Sequence, residues 1–378
     1  MTTKLVAASH SLEVTRTEAL RLLELVTAEP GPLAEVIAAR ARADPNLRCA
    51  VPLQESVSAS IACPPGPGAP ALLAADGSQI QADRHEEILF ALINVGSVCI
   101  KSGSGLAPEI TVSTRLLFDD ELYSADDRLL SEGDLALMRD VAERRSLLAD
   151  APEVPGLIAV GDGPLELWGA KDLAEPHAYE QALHRYLDDL RAMKGRGFTV
   201  AGYVDKPAAD LVIHMLELSV TSSASGTTGT TGHRLRGVSD LWLFGSLLQP
   251  GHRSAVFGLQ SASRQRYPDE LAIDFFYVNV GHASRPAIAR VEIPRWITVD
   301  PPRVAVLHQT LLSQCALMGA RPYPYILHRA HETARITDED KNHVKLRLLL
   351  EMRNHGLEPG TISGKSAAKA LPGFRGRS

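Results

Sequence analysis

The order in which strands and helices follow one another after residue 70 constrains this chain most strongly. Three segments with strand character come in succession before the first helix, and strands and helices then alternate. Three consecutive strands favour an antiparallel meander that feeds a mixed sheet, whereas strict alternation would indicate a purely parallel one. The predicted elements are strands at 70–75, 87–101, 109–118, 157–161 and 198–204 and helices at 131–149, 177–194 and 208–218. We therefore predict an α/β fold with a mixed central sheet flanked by helices.

Further elements are predicted on both sides of this region. Residues 12–28 and 32–42 carry apolar positions at helical spacing, and a Pro/Gly-rich connector separates them from the first strand. Downstream we expect a helix at 236–248, strands near 253–259, 271–281 and 286–293, and helices at 302–319, after Tyr323 and at 338–354. The chain thus divides into an N-terminal helical extension with its connector (1–69), one α/β domain (70–355) and a basic, flexible tail (356–378).

Composition and charge narrow the class of protein. Hydrophobic residues make up 45% and charged residues 22% of the chain, which is ordinary for a soluble globular protein. The formal net charge of -6 argues against a broad nucleic-acid-binding surface, but it is compatible with a local basic groove and with carboxylates around divalent metal ions. The four cysteines form no CxxC pair, and no apolar run is long enough to span a bilayer. We therefore expect a cytoplasmic protein with reduced thiols, no membrane association and a mobile low-complexity loop at 221–232.

Two aspartates follow strands of the predicted sheet. Asp76 ends the first core strand and Asp162 ends the fourth, so parallel neighbouring strands would bring both carboxylates to one sheet edge. Glu143, on the intervening helix, is expected to lean over the same edge. Carboxylates this close repel one another unless cations lie between them, and hard divalent ions prefer oxygen ligands. The pattern therefore predicts a two-metal site for phosphodiester hydrolysis, in which one ion activates water and the other stabilises the leaving oxygen.

Each of these acids also has an ordinary interpretation. Asp-Gly is among the commonest turn signals, so either aspartate taken alone is more often a turn residue. Glu143 taken alone is more often a solvated helix residue, and Glu132, Asp134 and Asp140 are competing carboxylates in the same segment. The spacing of the whole set matters more than any single member.

Further candidate residues lie nearer the C-terminus. Tyr323 precedes a predicted helix that carries His328 and His331 on one face. Imidazole is a borderline ligand that suits manganese or zinc, although a single histidine is more often structural. Lys206 and Arg253 follow strand or turn segments and are candidate phosphate contacts, with ordinary surface cations as the alternative.

The sequence around these residues resembles the NurA family of DNA-end-processing nucleases. The resemblance spans about residues 70–350. The segments that carry it are Ala74-Ala75-Asp76-Gly77-Ser78, Arg139-Asp140-Val141-Ala142-Glu143, Val160-Gly161-Asp162-Gly163-Pro164-Leu165, Gly202-Tyr203-Val204-Asp205-Lys206-Pro207, Leu248-Gln249-Pro250-Gly251-His252-Arg253-Ser254 and the segment from Tyr323 to His331. Each motif is short, and the set is specific because its members occur in the family's order.

This resemblance implies a fold, an activity and partners. The fold would be a ribonuclease H-like (Piwi-like) core, and the metal ligands would be Asp76, Glu143, Asp162 and His331, with Tyr323 as a supporting active-site residue. The activity would be degradation of single- and double-stranded DNA, typically 5′ to 3′, with single-strand endonuclease activity as a second mode. Two Mn²⁺ ions per site, with Mg²⁺ as the alternative, would be the cofactors. The partners would be a second copy of the chain and a hexameric HerA-type ATPase in recombinational repair of DNA ends.

Two other functions remain open from the sequence. A non-catalytic DNA-binding or assembly subunit could retain the same fold, although carboxylates facing phosphate would then bring it no benefit. A metal-dependent phosphatase for a small substrate would use similar ligands, but no compact substrate-pocket motif supports it.

Overall fold

A computed structural model of the protein describes residues 2–28, 30–66, 68, 71–124, 126–168, 177–223 and 235–356. These residues contain nine strands and ten α-helices. The strands are β1 (Cys49–Pro52), β2 (Ala71–Ile80), β3 (Phe90–Lys101), β4 (Glu109–Phe118), β5 (Ile158–Asp162), β6 (Thr199–Asp205), β7 (Phe257–Gln260), β8 (Ile273–Asn279) and β9 (Ile288–Pro294). The helices are α1 (Thr2–Ala28), α2 (Pro30–Ala43), α3 (Glu132–Ala149), α4 (Ala178–Gly195), α5 (Leu211–Ser223), α6 (Asp240–Leu247), α7 (Arg295–Thr298), α8 (Pro301–Ala316), α9 (Tyr325–Ala334) and α10 (Asp338–Asn354).

All nine strands form one mixed sheet in the order β1-β7-β8-β9-β6-β5-β2-β3-β4. The strands β2, β3 and β4 form an antiparallel meander, β5 and β6 then run parallel to β2, and the remaining neighbours are antiparallel. This arrangement confirms the predicted mixed sheet, and its order of strands is the one expected of a ribonuclease H-like core. Because β2, β5 and β6 are parallel neighbours in the middle of the sheet, their carboxyl ends lie side by side along one edge of the sheet, the edge that the strand ends form.

Helices cover both faces of the sheet near that edge. Gly77 of β2 lies against α3, whereas Gly96 of β3, which pairs with Asp76, lies against the end of α9. Successive strand residues point to opposite faces, so α3 and α9 pack on opposite sides of β2 and β3. The start of α3 is fixed by a capping box in which Ser131 accepts from the backbone of Asp134 and the Asp134 carboxylate accepts in return. The two helices therefore flank the strand that carries Asp76 from opposite sides of the sheet.

Two predictions about local structure were wrong. We expected Asp76 to end its strand, but β2 continues to Ile80 because β3 pairs with it along its whole length. The parallel pairing with β5 does stop at Ala75. We also expected only helices and a connector before residue 70, whereas β1 pairs with β7 and extends the sheet. The segment before the predicted domain boundary is thus part of the same sheet.

Some predicted segments lie outside the described residues. They include most of the low-complexity loop at 221–232 and the basic tail from residue 357 onward. Among the helices that the structure describes, none combines the length and the apolar content needed to cross a membrane.

Candidate active site

Asp76 and Asp162 lie on adjacent parallel strands at the same edge of the sheet. Their preceding residues, Ala75 and Gly161, are direct partners in the register of β2 and β5. Neighbouring strands are about 4.8 Å apart, so the two aspartates are neighbours as well. Burial raises the pKa of Asp162 above its ordinary value, and the negative charge of Asp76 acts in the same direction. The structure therefore brings these two predicted acids together.

His331 joins the two aspartates from α9. Its Nδ1 atom lies 2.7 Å from Oδ2 of Asp76, and the other carboxylate oxygen of Asp76 accepts a hydrogen bond of 2.9 Å from the backbone N–H of Gly77. The end of α9 is itself anchored, because the side chain of Asn94 donates to the carbonyl of Ala334 over 2.8 Å. Asp76 is nearly buried, at 9% exposure, while the imidazole is mostly exposed. The imidazole thus lies between the buried carboxylate and solvent.

Glu143 approaches from α3, on the other face of the sheet. It reaches β2 where Gly77 has no side chain, since a Cβ atom there would lie 2.5 Å from Oε1 of Glu143. Its Oε1 atom also lies 3.1 Å from Nε of Arg139, one turn earlier in the helix. Burial raises the pKa of Glu143 to about 8, and the negative charges of Asp140 and Asp76 act in the same direction, against Arg139. Glu143 is therefore a confined carboxylate beside Asp76.

The competing acids of the α3 segment have other roles. Asp134 belongs to the helix cap, Asp140 pairs with Arg139 at 3.0 Å, and Glu132 is an exposed residue of the first turn. Of these four carboxylates, Glu143 is the one that packs against the strand carrying Asp76.

Tyr323 lies beside Asp162. Its hydroxyl hydrogen-bonds the Asp162 carboxylate, and its ring packs edge-on against Tyr203 of β6, with the centroids 5.7 Å apart. Burial raises the pKa of Tyr323, and the negative charge of Asp162 raises it further. The phenol therefore stays protonated and acts as a hydrogen-bond donor.

The two predicted phosphate contacts have different environments. Lys206 follows β6 at the same edge of the sheet and its side chain is 84% exposed, with Asp205 at 3.8 Å. Arg253 is buried, and its guanidinium donates to both carboxylate oxygens of Glu55 over 2.8 and 2.7 Å. A guanidinium engaged in this way has no free face for a phosphate, so we withdraw Arg253 as a phosphate contact.

Two functional features escaped the sequence analysis. Gly77 was interpreted as half of a turn signal, but its role is to let Glu143 approach the strand. Arg144 links α3 to the turn after Asp162, since it donates to the carbonyls of Asp140 and Pro164 over 2.9 Å each. The glycine beside the aspartate was a visible signal, whereas nothing in the sequence identified the partner of Arg144.

The potential metal ligands of the site are held by protein partners in this structure. Among the residues that the structure describes, no three His, Cys, Asp or Glu side chains are already arranged to hold a metal ion. Asp76 and Glu143 are instead engaged by His331 and Arg139. The chemistry of the set nevertheless suits a hard or borderline divalent ion, because carboxylate oxygens that destabilise one another's charge converge with an imidazole nitrogen. These residues fit a divalent ion, which would lie between the Asp76 carboxylate and the His331 imidazole and would displace Arg139 from Glu143.

Comparison with known proteins identifies a family. The family model described as the NurA domain matches residues 70–336. No curated protein matches the chain. Among solved structures, the NurA nuclease from Sulfolobus solfataricus is 13% identical with a TM-score of 0.49, and the match covers 89% of this chain and 97% of that one. The catalytic domain of human endonuclease V is 13% identical with a TM-score of 0.33, and that match covers 90% of this chain and 99% of that domain.

Proposed function

Since the chain belongs to the NurA domain family, of which the Sulfolobus solfataricus protein is described as a nuclease, we propose that it is a metal-dependent deoxyribonuclease that hydrolyses phosphodiester bonds. The observation that carries the proposal is the register of β2 and β5, which sets Asp76 beside Asp162 at one edge of the sheet. Glu143 and His331 approach the same point from opposite faces. Carboxylates concentrated in this way suit a site that gathers divalent cations around a phosphate.

In this proposal each side chain has a defined task. Asp76, Asp162 and Glu143 would supply oxygen ligands, and His331 would supply a nitrogen ligand. When bound, two divalent ions, Mn²⁺ in preference to Mg²⁺, would supply Lewis acidity at the scissile phosphate. The hydroxyl of Tyr323 would orient the Asp162 carboxylate by donating a hydrogen bond to it.

The exposed Lys206 would contact the DNA backbone. Its side chain extends into solvent at the edge where β6 ends, and a lysine in that position can hold a phosphate without reading the base sequence. We further propose that the substrate is single- or double-stranded DNA degraded in the 5′ to 3′ direction, with single-strand endonuclease activity as a second mode. A second copy of the chain and a HerA-type ATPase would be the partners in processing DNA ends for recombinational repair.

The test is cleavage of linear DNA labelled at the 5′ or the 3′ end, in Mn²⁺ with and without EDTA. We expect the wild-type chain to degrade the DNA only without EDTA. The variants Asp76→Ala, Asp162→Ala and Glu143→Ala should be inactive while keeping the circular dichroism spectrum of the folded chain. Glu132→Ala is the matched control, because this exposed acid lies on the same helix away from the site.

Other outcomes would point to other functions. Binding of DNA without any cleavage in Mn²⁺ or Mg²⁺ would indicate a non-catalytic subunit. Hydrolysis of nitrophenyl phosphate without DNA cleavage would indicate a phosphatase. Full activity of either aspartate variant would remove the assignment of the site.

A further inference from the structure

The strand β4 is uncovered to a degree that is unusual for a ten-residue strand. It forms one edge of the sheet, and within the described residues nothing pairs with its outer side. Nine of its residues are exposed, and Leu117 alone is buried. By contrast, the strand at the opposite edge, β1, is four residues long.

The exposed side chains of β4 have a regular pattern. Ile110, Val112, Leu116 and Phe118 are 52%, 54%, 38% and 41% exposed, and all four have even numbers and so share one face. The strand contains no proline or lysine, which are devices that commonly protect an edge from pairing. An edge with free backbone groups and an apolar face is suited to receive another strand.

The positions of these residues point to the strand's occupant. The four apolar residues lie symmetrically about Thr114, two before it and two after it. If β4 pairs antiparallel with β4 of a second copy, a two-fold axis perpendicular to the sheet keeps even-numbered residues on one face. The register centred on Thr114 then sets Ile110 opposite Phe118 and Val112 opposite Leu116, so each exposed apolar side chain meets another.

Neighbouring registers do not pair each exposed apolar side chain with another. Centring on Ser113 sets Val112 opposite Thr114 and leaves Phe118 opposite Pro108, which precedes the strand. Aromatic and β-branched cross-strand pairs stabilise a sheet more than mixed apolar and polar pairs do. The one cation of β4, Arg115, is neutralised within its own chain by Glu121 at 3.0 Å, so it does not oppose the pairing.

The other face of the strand offers more surface to the same partner. A groove of about 700 Å³ runs beside Ser113 and Arg115, between the sheet and α3 and α4. Its floor is largely apolar and includes Ile93, Val95, Leu137 and Met138. A strand added at β4 would border this groove on the side of Ser113 and Arg115.

We propose that two copies of the chain associate through β4, pairing antiparallel about an axis at Thr114 to give one continuous sheet. The inference rests on the homodimer that forms part of the proposed function. Its tests measure mass and cross-linking without any DNA, so the interface can fail while the nuclease assignment stands, and the reverse.

A cysteine at the axis tests the register. Thr114 lies opposite its own copy, and directly opposed residues of antiparallel strands are about 4.5–5.5 Å apart between Cα atoms, which a disulfide can span. Thr114→Cys should therefore form a covalent dimer on oxidation. Val112→Cys is the matched control, because residue 112 lies opposite 116 and far from its own copy. Absence of the Thr114→Cys cross-link, or equal cross-linking of both variants, would overturn the register.

Charge tests the interface in solution. Light scattering during size-exclusion chromatography should give the wild-type chain the mass of a dimer. Val112→Lys should weaken the dimer about tenfold or more, because a lysine then faces Leu116 at two symmetric positions. Adding Leu116→Glu to that variant should restore the dimer through two opposite-charge pairs. Val299→Lys, which changes an exposed valine outside the sheet, is the control.

Each result decides the proposal. A wild-type chain that stays monomeric at micromolar concentration contradicts it, as does a dimer that Val112→Lys leaves unchanged. A dimer that the double variant restores supports the pairing of 112 with 116 specifically.

Discussion

The substitution Gly77→Ala probes the approach of Glu143 to the sheet. The new Cβ atom would lie 2.5 Å from Oε1 of Glu143 and 2.7 Å from Cγ of Arg139. Ordinary contacts of such atoms need about 3.5–4.0 Å, so the Glu143 carboxylate has to move by roughly 1 Å. The backbone of α3 is tethered next to Glu143, because Arg144 donates to the carbonyl of Pro164 over 2.9 Å.

A displacement of this size has a calculable consequence. Misplacing a catalytic group by about 1 Å can lower a rate by about 10²-fold. Forcing one extra methyl into a packed site costs about 1–3 kcal/mol of stability, which a domain of this size tolerates. We therefore expect Gly77→Ala to reduce the initial rate of Mn²⁺-dependent DNA cleavage by about 10²-fold while the chain remains folded in urea denaturation.

Gly161→Ala is the matched control for this prediction. Gly161 precedes Asp162 on the neighbouring strand and, like Gly77, faces α3, but a Cβ atom there would meet nothing closer than Cδ1 of Leu147 at 3.9 Å. This variant should retain the wild-type rate within a few-fold. A wild-type rate in Gly77→Ala, or an equal loss in Gly161→Ala, would refute the reasoning that Glu143 needs the space above residue 77.

Three further predictions concern residues around the site and in the core. Tyr323→Phe removes the hydrogen bond to Asp162 but keeps the ring, so DNA cleavage should slow about tenfold and the free energy of unfolding should fall by about 1 kcal/mol. An unchanged cleavage rate would remove Tyr323 from the site. Arg253→Ala should destabilise the fold by about 1.5–3 kcal/mol in urea denaturation, because the Glu55 carboxylate loses two charge-assisted hydrogen bonds and keeps only the one from the Val256 N–H. Lys206→Ala should instead weaken DNA binding in a salt-dependent assay and leave stability unchanged, and the reverse pattern would contradict both assignments. Burial lowers the pKa of His308 from 6.5 to about 4, so the contribution of the neutral imidazole to stability is full above pH 6.5 and is lost as the pH falls toward 4. His308→Gln should reduce this dependence of the unfolding free energy on pH by about 3 kcal/mol at most. An unchanged pH profile of unfolding would contradict the assignment of that dependence to His308.

Signals from residues close together in the sequence were sufficient to predict most helices. The cap at Ser131 and the acidic first turn of α3 lie within four residues of one another, and α10 begins and ends at the residues that the pattern predicted, Asp338 and Asn354. Such signals are readable because each partner is nearby in sequence.

Features that depend on residues far apart in the sequence were harder to predict. The strand β2 continues past Asp76 only because β3 pairs with it, and β1 exists because a strand far later in the chain receives it. Arg253 had the appearance of a phosphate contact, but Glu55 takes its guanidinium, and no local pattern signals that pair. The juxtaposition of Asp76 with Asp162 was predictable, since the carboxyl ends of parallel neighbouring strands share an edge and the pairing of β2 with β5 stops just before both acids.

The most direct test of the site is to locate bound manganese. Crystals of the chain grown with Mn²⁺ should show anomalous diffraction peaks between the carboxylates of Asp76, Asp162 and Glu143, within about 2.0–2.6 Å of their oxygens. Those peaks should disappear in Asp76→Ala crystals under the same conditions. Manganese bound elsewhere in the chain, with none at this edge of the sheet, would contradict the account.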